Sequence, residues 1–600
     1  MDRNKIYKIL GSRRNLFAMV LIVLLTVFYV LPLLINLVNS FVLFPKNIPS
    51  AYGAYPLYMF IADSIFNFHS FTLWVPILQG GRFIFEHPVI NVLNPSLLFT
   101  ILFGEVAGMN LSWCFFFITG SCSMYYLMRK VLKYSIPGSI YSALVFSMSG
   151  VFGYLFENGV FYAKETMLLP LAMAFFIKAK GNRKFVILCS FILGILMQTA
   201  LFFPVIMLFL FLFISLYSWK YENRRIILVK EYFWTFFSVS VLTLLFSAAK
   251  IIPMLRLLMT NNRVSGIAYA GSIDGANNLE LLFKRIFSPE HSGPGTMYLG
   301  YLPVILAVLA VIFDFKRVKM YFVLLCIFIF LSFGPNISMD LHRFLWKLPV
   351  FSSMKEISKY YSVVIVFIIS ILSGSSFLLL GRLRNRVIPV ILATVFILAT
   401  YFDLLNSNIG YFNVLDTGPV QVAAEKKLYH IKGVNMHQGD ESVMTPFFYF
   451  MAKKNIGILN FPSFLGPETK VMPKLFLLPR YVFLSPYTKI SVLPNPEYKG
   501  EAFFLNDPNS ICDIDFKPNK ILVEVKMKDP DTLVINQNFD PYWRVSAGNI
   551  ENYDGLLSVK FKSPVRGKVV FTYLPFLFFI GFAISLTSII ISLYFLCLKA

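Results

Sequence analysis

Four groups of charged residues in this 600-residue chain stand where they could do chemistry beside an apolar boundary. The first is the segment 41–97, which carries Trp74-Val75-Pro76, Gly80-Gly81-Arg82, Glu86-His87-Pro88 and Asn94-Pro95. Its acids are Asp63 and Glu86, with Glu105 just beyond. A carboxylate in such a loop can take a proton from a hydroxyl group. Glu86 stands beside Arg82 and His87, so a loop ion pair with Arg82 is the plainer alternative. Asp63 lies in the apolar stretch Met59–Phe66, where a water-facing helix position explains it equally simply. The second group is Glu157, Lys164 and Glu165, at a membrane rim where long charged side chains snorkel. The third is Arg263, followed by Lys284 and Arg285. The fourth is Lys355, Glu356 and Lys359; the two lysines are one helical turn apart and can face one phosphate, or anchor to lipid headgroups.

Long apolar segments must position these groups. Hydrophobic residues make up 57% of the chain and charged residues 14%, against roughly 45–50% and 25% in soluble domains. Apolar runs predict about twelve membrane helices, near 15–37, 108–128, 138–155, 163–177, 185–200, 202–219, 232–252, 297–313, 320–334, 359–380, 387–403 and 574–597. The run 185–219 is too long for one crossing of a core about 30 Å thick and is divided near Gln198 and Pro204. The apolar part of 15–37 is too long for a signal peptide, so it is expected to stay as the first span. Alternate loops 1–14, 129–133, 178–184, 220–231, 314–319 and 382–386 hold 5, 3, 4, 4, 3 and 3 Lys or Arg, which puts them and both termini in the cytoplasm. The net charge of +23 therefore marks topology and gives no reason to expect a nucleic-acid partner.

The external segments are then 41–107, 156–162, 253–296, 335–358 and 404–573. We divide the chain into a membrane domain, 1–403, an external domain, 404–573, and a last span within 574–600. Period-two alternation over Ile521–Lys528 predicts a half-buried strand. Leu533–Asn536, Trp543–Ala547, Leu556–Lys562 and Lys568–Tyr573 read as further strands separated by Asp-Pro, Ala-Gly, Asp-Gly and Ser-Pro turns, so a sandwich-like, mostly β domain is expected. Six scattered cysteines and six scattered histidines give neither a disulfide framework nor a metal-ligand spacing.

Several of these features together resemble the bacterial YfhO-like membrane proteins of the GT-C glycosyltransferase superfamily. Trp74, Pro76, Gly80 and Gly81, followed by Asn94-Pro95, match a W-x-P-x-x-x-G-G first-loop pattern. Tyr298-Leu299-Gly300-Tyr301-Leu302-Pro303 matches the family's Tyr-x-Gly-x-x-Pro helix entry, and Phe351–Tyr360 its basic stretch, with Lys355 and Lys359 at the basic positions. Asp540-Pro541-Tyr542-Trp543-Arg544-Val545, Gly567–Phe571, Tyr573-Leu574-Pro575 and Gly581 match the ending that leads into the final helix.

The resemblance implies a multi-pass protein of the bacterial plasma (inner) membrane. It implies transfer of a sugar from a polyprenyl-phosphate lipid to an extracytoplasmic glycan, with membrane lipids as neighbours. It also implies a carboxylate in the first loop and cations at the donor phosphate; some relatives use a divalent metal, which this sequence does not display. Where the family has Gly-Asp early in that loop, this chain has Gly53-Ala54, so the base is sought in Glu86, with Asp63 second. Arg263, Lys355, Lys359 and Arg82 are the expected phosphate contacts, and His87, Glu157 and Glu356 further site candidates. The Ala54 departure keeps open a non-catalytic relative, and twelve spans also fit a lipid or polysaccharide transporter, although no related halves are visible.

Overall fold

The computed structural model describes the chain except residues 1–2, 36–39, 43–53, 88–89, 91–92, 200, 223–224, 261–268, 270–274, 291–292, 349, 386, 413, 417–426, 434–450, 460–468, 478–491, 508–510 and 598–600. The predicted spans fall largely on helix, but among the described residues fewer than the expected twelve are long and apolar enough to cross a membrane. Six helices are long and apolar enough to cross a membrane: Glu105–Val131, Ile136–Glu157, Phe315–Asn336, Ile357–Leu380, Val387–Phe412 and Phe576–Cys597. A seventh forms if Lys230–Phe246 and Ala248–Leu257, bent by 79°, count as one broken span. The chain is thus a multi-pass membrane protein. The run 185–219 is two helices, Arg183–Leu196 and Phe202–Tyr217, joined through the short turn Met197–Thr199.

The centre of the bundle is the crossing of Ile136–Met148 with Ile357–Ser375. Every residue of the second helix is buried. Small residues let the two backbones meet: a Cβ on Gly138 would lie 2.3 Å from the Gly374 carbonyl oxygen. Ser142 donates from Oγ to the Ser370 carbonyl at 2.7 Å, which satisfies a polar group inside the bundle.

The C-terminal region is rich in sheet. Two four-stranded antiparallel sheets account for residues 502–573. One runs Ala502–Phe504, Thr532–Asn538, Leu556–Lys560, Asn549–Tyr553; the other runs Ile511–Lys517, Lys520–Lys526, Arg566–Tyr573, Trp543–Val545. In Lys520–Lys526 the residues Ile521, Val523 and Val525 are buried while Lys520, Glu524 and Lys526 face water, as the alternation predicts. The Asp554-Gly555 turn has φ of 46° and 86°, the left-handed pair that a two-residue hairpin of matching twist requires. A third sheet had no counterpart in the sequence reading. It joins Val492–Pro494, Leu475–Leu477, Tyr429–Gly433 and Ile456–Ile458, and the last two pairings are parallel.

Parts of the segment between the first two predicted spans are built into this region. Ser40–Val42 pairs with Val414–Asp416, and Leu78 bridges Ile458. Trp74 meets Trp543 edge to face and Tyr573 at a tilt, with ring centroids 5.3 Å and 4.9 Å apart.

Candidate functional site

The hairpin Trp74–Phe83 folds tightly because of its glycines. Trp74–Val75 pairs with Arg82–Phe83, and Gly80 and Gly81 turn between them at φ of 77° and 101°. A Cβ on Gly81 would stand 2.2 Å from Gln537 Oε1 and 2.5 Å from the Trp74 ring. Asn519 Oδ1 accepts from the backbone N–H groups of Leu73 and Trp74 at 2.7 Å and 3.1 Å. Asn538 Nδ2 donates to the carbonyls of Gln79 and Gly81 at 2.7 Å and 2.9 Å. The segment beyond, which carries Glu86 and His87, therefore leaves from a fixed point.

Glu86 does not take Arg82 as its ion-pair partner. Its Oε1 lies 2.9 Å from Nη1 of Arg256, which reaches from the Ala248–Thr260 helix. The second guanidinium nitrogen, Nη2, meets Asp540 Oδ2 at 3.1 Å, and the plane of the group sits 4.7 Å from the Tyr542 ring centre. Burial raises Glu86 to about 7; Arg256 and Arg82 pull it down, and Asp540 pushes it up. Asp540 is also raised by burial, with Arg256 opposing. The same helix holds the loop a second time. Lys250 donates from Nζ to the carbonyls of His87 and Ile90, the latter at 2.8 Å.

Lys250 also faces a cavity of about 540 Å³. Its walls come from the Pro95–Phe103, Arg183–Leu196 and Phe576–Cys597 helices and from the break around Ser247. They are apolar, and Leu98, Phe191 and Leu586 are exposed, so the cavity opens on the lipid-facing side of the bundle. The polar groups in its lining include Asn94, Gln198 and Lys250, all buried. Asn94 has two tasks. Its Oδ1 caps the Pro95–Phe103 helix by accepting from Leu97 N, and its Nδ2 donates to Glu165 Oε1 at 2.9 Å. Glu165 and Lys164 are fully buried, 3.6 Å apart, in the tight Phe161–Leu168 turn.

The far side of that turn carries a second polar cluster. Tyr162 faces Lys359, which is ion-paired with Glu356 and lies 5.4 Å from the Tyr360 ring centre. Tyr154 feels the charges of Glu356, Lys359, Arg285 and Glu157, so the 157–165 turn, the mouth of Ile357–Ser375 and the Leu279–Phe287 helix all approach it. Arg285 is buried and donates from Nη1 to Asn277 Oδ1 and the Gly275 carbonyl.

The expected site residues thus separate. Glu157, Glu356 and Lys359 come together, with Lys355 half-buried one residue before Glu356. Glu86 and Arg82 stand in a different cluster, with Arg256 and Asp540. His87 is buried and lends its carbonyl to Lys250. Asp63 is exposed and accepts from Asn67 one helical turn on. Arg263 lies outside the described residues, as does Gly53. The sequence reading passed over Lys250, Arg256 and Asp540 as site residues and placed Glu165 at a solvated rim. Lys250 and Glu165 did carry a signal: each lies inside a predicted span, where a buried ionisable group points to function. Among the described residues no three His, Cys, Asp or Glu side chains stand together as a metal-binding group.

No protein-family model and no curated protein matches the chain. Solved structures do resemble it. The archaeal oligosaccharyltransferase AglB from Archaeoglobus fulgidus, in complex with an inhibitory peptide and a dolichol-phosphate, is 12% identical over 76% of this chain and 65% of its own, with a TM-score of 0.43. The arabinofuranosyltransferase AftD from Mycobacteria is 12% identical over 94% of this chain and 40% of its own, with a TM-score of 0.47. ArnT from Cupriavidus metallidurans, bound to undecaprenyl phosphate, is 12% identical over 73% of this chain and 85% of its own, with a TM-score of 0.41. The chain spans less than two thirds of the oligosaccharyltransferase and of the arabinofuranosyltransferase.

Proposed function

We propose that this chain is a GT-C-type, YfhO-like membrane glycosyltransferase that moves a sugar from a polyprenyl-phosphate donor to a glycan outside a bacterial plasma membrane. The observation that carries the reading is the lipid-facing cavity. An amphiphilic phosphate donor needs an apolar slot for its chain and a cation where the chain meets the phosphate. The cavity offers apolar helix walls and places Lys250, Asn94 and Gln198 in its lining.

In the transfer, an acceptor hydroxyl oxygen bonds to the anomeric carbon, the bond from that carbon to the phosphate oxygen breaks, and the lipid phosphate leaves as an anion. The acceptor proton passes to a carboxylate. We assign the anion to Lys250 and the proton to Glu165, the carboxylate hydrogen-bonded to Asn94 of the cavity wall, which a small movement of Asn94 must uncover to the acceptor. The cluster of Glu157, Arg285, Glu356 and Lys359 forms the acceptor side. Glu86, engaged by Arg256 and Asp540, is not the base in this assignment.

A second reading, a relative that binds the lipid without chemistry, is favoured by the contact of Glu165 with Lys164 and by its complete burial. The two readings separate in nanodiscs given radiolabelled polyprenyl-phosphate sugars. Lys250→Met is expected to lose binding and transfer together. Glu165→Gln is expected to keep binding and to lose transfer by roughly 10²–10⁴-fold, the usual cost of removing a general base. Parental turnover by Glu165→Gln removes that residue from the mechanism, and a wild-type protein that binds without transfer establishes the second reading.

A further inference from the structure

Three parts of the chain distant in sequence meet at one guanidinium. Arg256 binds Glu86 of the first external segment with Nη1 and Asp540 of the C-terminal sheets with Nη2. Two residues on, Tyr542 covers its face. An arginine is suited to this, since its planar fork can hold two carboxylates in fixed directions while stacking on an aromatic ring. The stretch it grips is the one Lys250 reads. Lys250 lies on the same helix and donates to the carbonyls of His87 and Ile90, while its side chain also faces the cavity. The helix start is itself pinned, because Ala249 N donates to Ser585 Oγ of the final helix at 3.0 Å and Gly581 packs against Ala248.

We infer that Arg256 is a positioning residue, which by holding Glu86 and Asp540 together fixes Glu86 and the carbonyls of His87 and Ile90, and so fixes the ammonium of Lys250 at the cavity. The inference rests on the donor-cavity reading for its consequence, but the clamp itself has its own readout. Without the clamp, Lys250 keeps its cation but loses the His87 and Ile90 carbonyls that aim it. The C-terminal sheets thereby act on a phosphate site they do not line. The clamp needs an ionised Glu86. The groups facing that carboxylate are Arg82 of its own segment, Arg256 of the helix, and Asp540, Tyr542 and Tyr573 of the sheets. With burial raising Glu86 to about 7, the clamp is complete above neutrality and loses one arm below it.

The test uses the full chain in nanodiscs with undecaprenyl phosphate as probe. Removing a charge-assisted contact costs roughly 1.5–3 kcal/mol, so Arg256→Gln is expected to weaken binding about tenfold or more. Arg256→Lys keeps the charge without the fork and should recover part of that loss. Glu86→Gln should match the wild type at pH 6 and fall behind it at pH 8; the titration of the phosphate is common to both proteins and cancels in their ratio. Hydrogen exchange supplies the independent readout, with Arg256→Gln expected to raise exchange in a peptide spanning 84–90 and not in Thr532–Asn538. If the wild type binds no lipid yet the exchange rises as stated, the donor reading fails and the clamp stands. Unchanged exchange in 84–90, or a Glu86→Gln to wild-type binding ratio that is constant with pH, overturns the inference.

Discussion

Asn94 does two separable things, so its variants give a graded prediction. Its Oδ1 caps the Pro95–Phe103 helix, and its Nδ2 is a hydrogen-bond donor to the buried carboxylate of Glu165 at 2.9 Å. Losing an N-cap costs about 1 kcal/mol. Losing a hydrogen bond to a buried charge costs roughly 1.5–3 kcal/mol. Asn94→Ala removes both and should destabilise the protein by about 3 kcal/mol. Asn94→Ser keeps a capping oxygen but is too short to reach Glu165, so about 2 kcal/mol should go. Asn94→Asp keeps the cap at full strength and turns the donor into a second carboxylate against Glu165. Like charges in a buried site cannot both ionise cheaply, so Asp should be at least as damaging as Ala. The measurement is the unfolding free energy of the full chain in mixed micelles titrated with dodecyl sulfate, read beside undecaprenyl phosphate binding. The order wild type, Ser, Ala with Asp at or below Ala is expected in stability. An Asp variant as stable as the wild type would refute the placement of Glu165 against Asn94, and Ser equal to the wild type would show that capping alone matters.

Two further predictions concern the external side. His430 is buried, with Nδ1 2.9 Å from Glu501 and Nε2 3.1 Å from the Pro76 carbonyl. Burial lowers its pKa, but the charge and hydrogen bond of Glu501 outweigh it and the net shift is upward. A raised histidine stabilises fully below its unfolded value of about 6.5 and loses that contribution as pH rises through the folded value. Stability of the Tyr429–Gly433 strand by hydrogen exchange should therefore fall as pH rises above about 6.5, and Glu501→Gln should flatten the fall; an unaltered slope in that variant removes the pair as its cause. Asn549 is exposed at the start of a sheet strand, in the region expected outside. An Asn549→Cys protein should react with an impermeant maleimide in intact cells, and labelling only after permeabilisation would invert the topology and put the proposed site on the wrong face.

Six of the apolar spans and the strands of the sheet-rich C-terminal region were legible because each rests on a local pattern. A helix that must bury itself in lipid shows an apolar run about 20 residues long, whatever it packs against. A half-buried strand such as Lys520–Lys526 alternates because successive side chains point to opposite faces. The Asp554-Gly555 turn is equally local, since its left-handed dihedrals suit those residue types. The parallel sheet left no such mark; its strands of three to five residues are too short to show a period. Charge partners were beyond reach for a different reason. Arg82 stands four residues from Glu86, and sequence proximity made it the natural partner. The carboxylate instead meets Arg256, which in turn meets Asp540 284 positions away. Asn94 finds Glu165 across 71 residues, and Lys250 finds the His87 carbonyl across 163. Coulomb attraction falls with distance in space, and space is set by which helices cross and where Lys230–Phe246 and Ala248–Leu257 bend apart. The sequence by itself determined where the apolar helices and the alternating strands lie, because each is a local pattern. Only the tertiary structure decided which charges meet, because a long-range ion pair depends on the path of the whole chain between its partners.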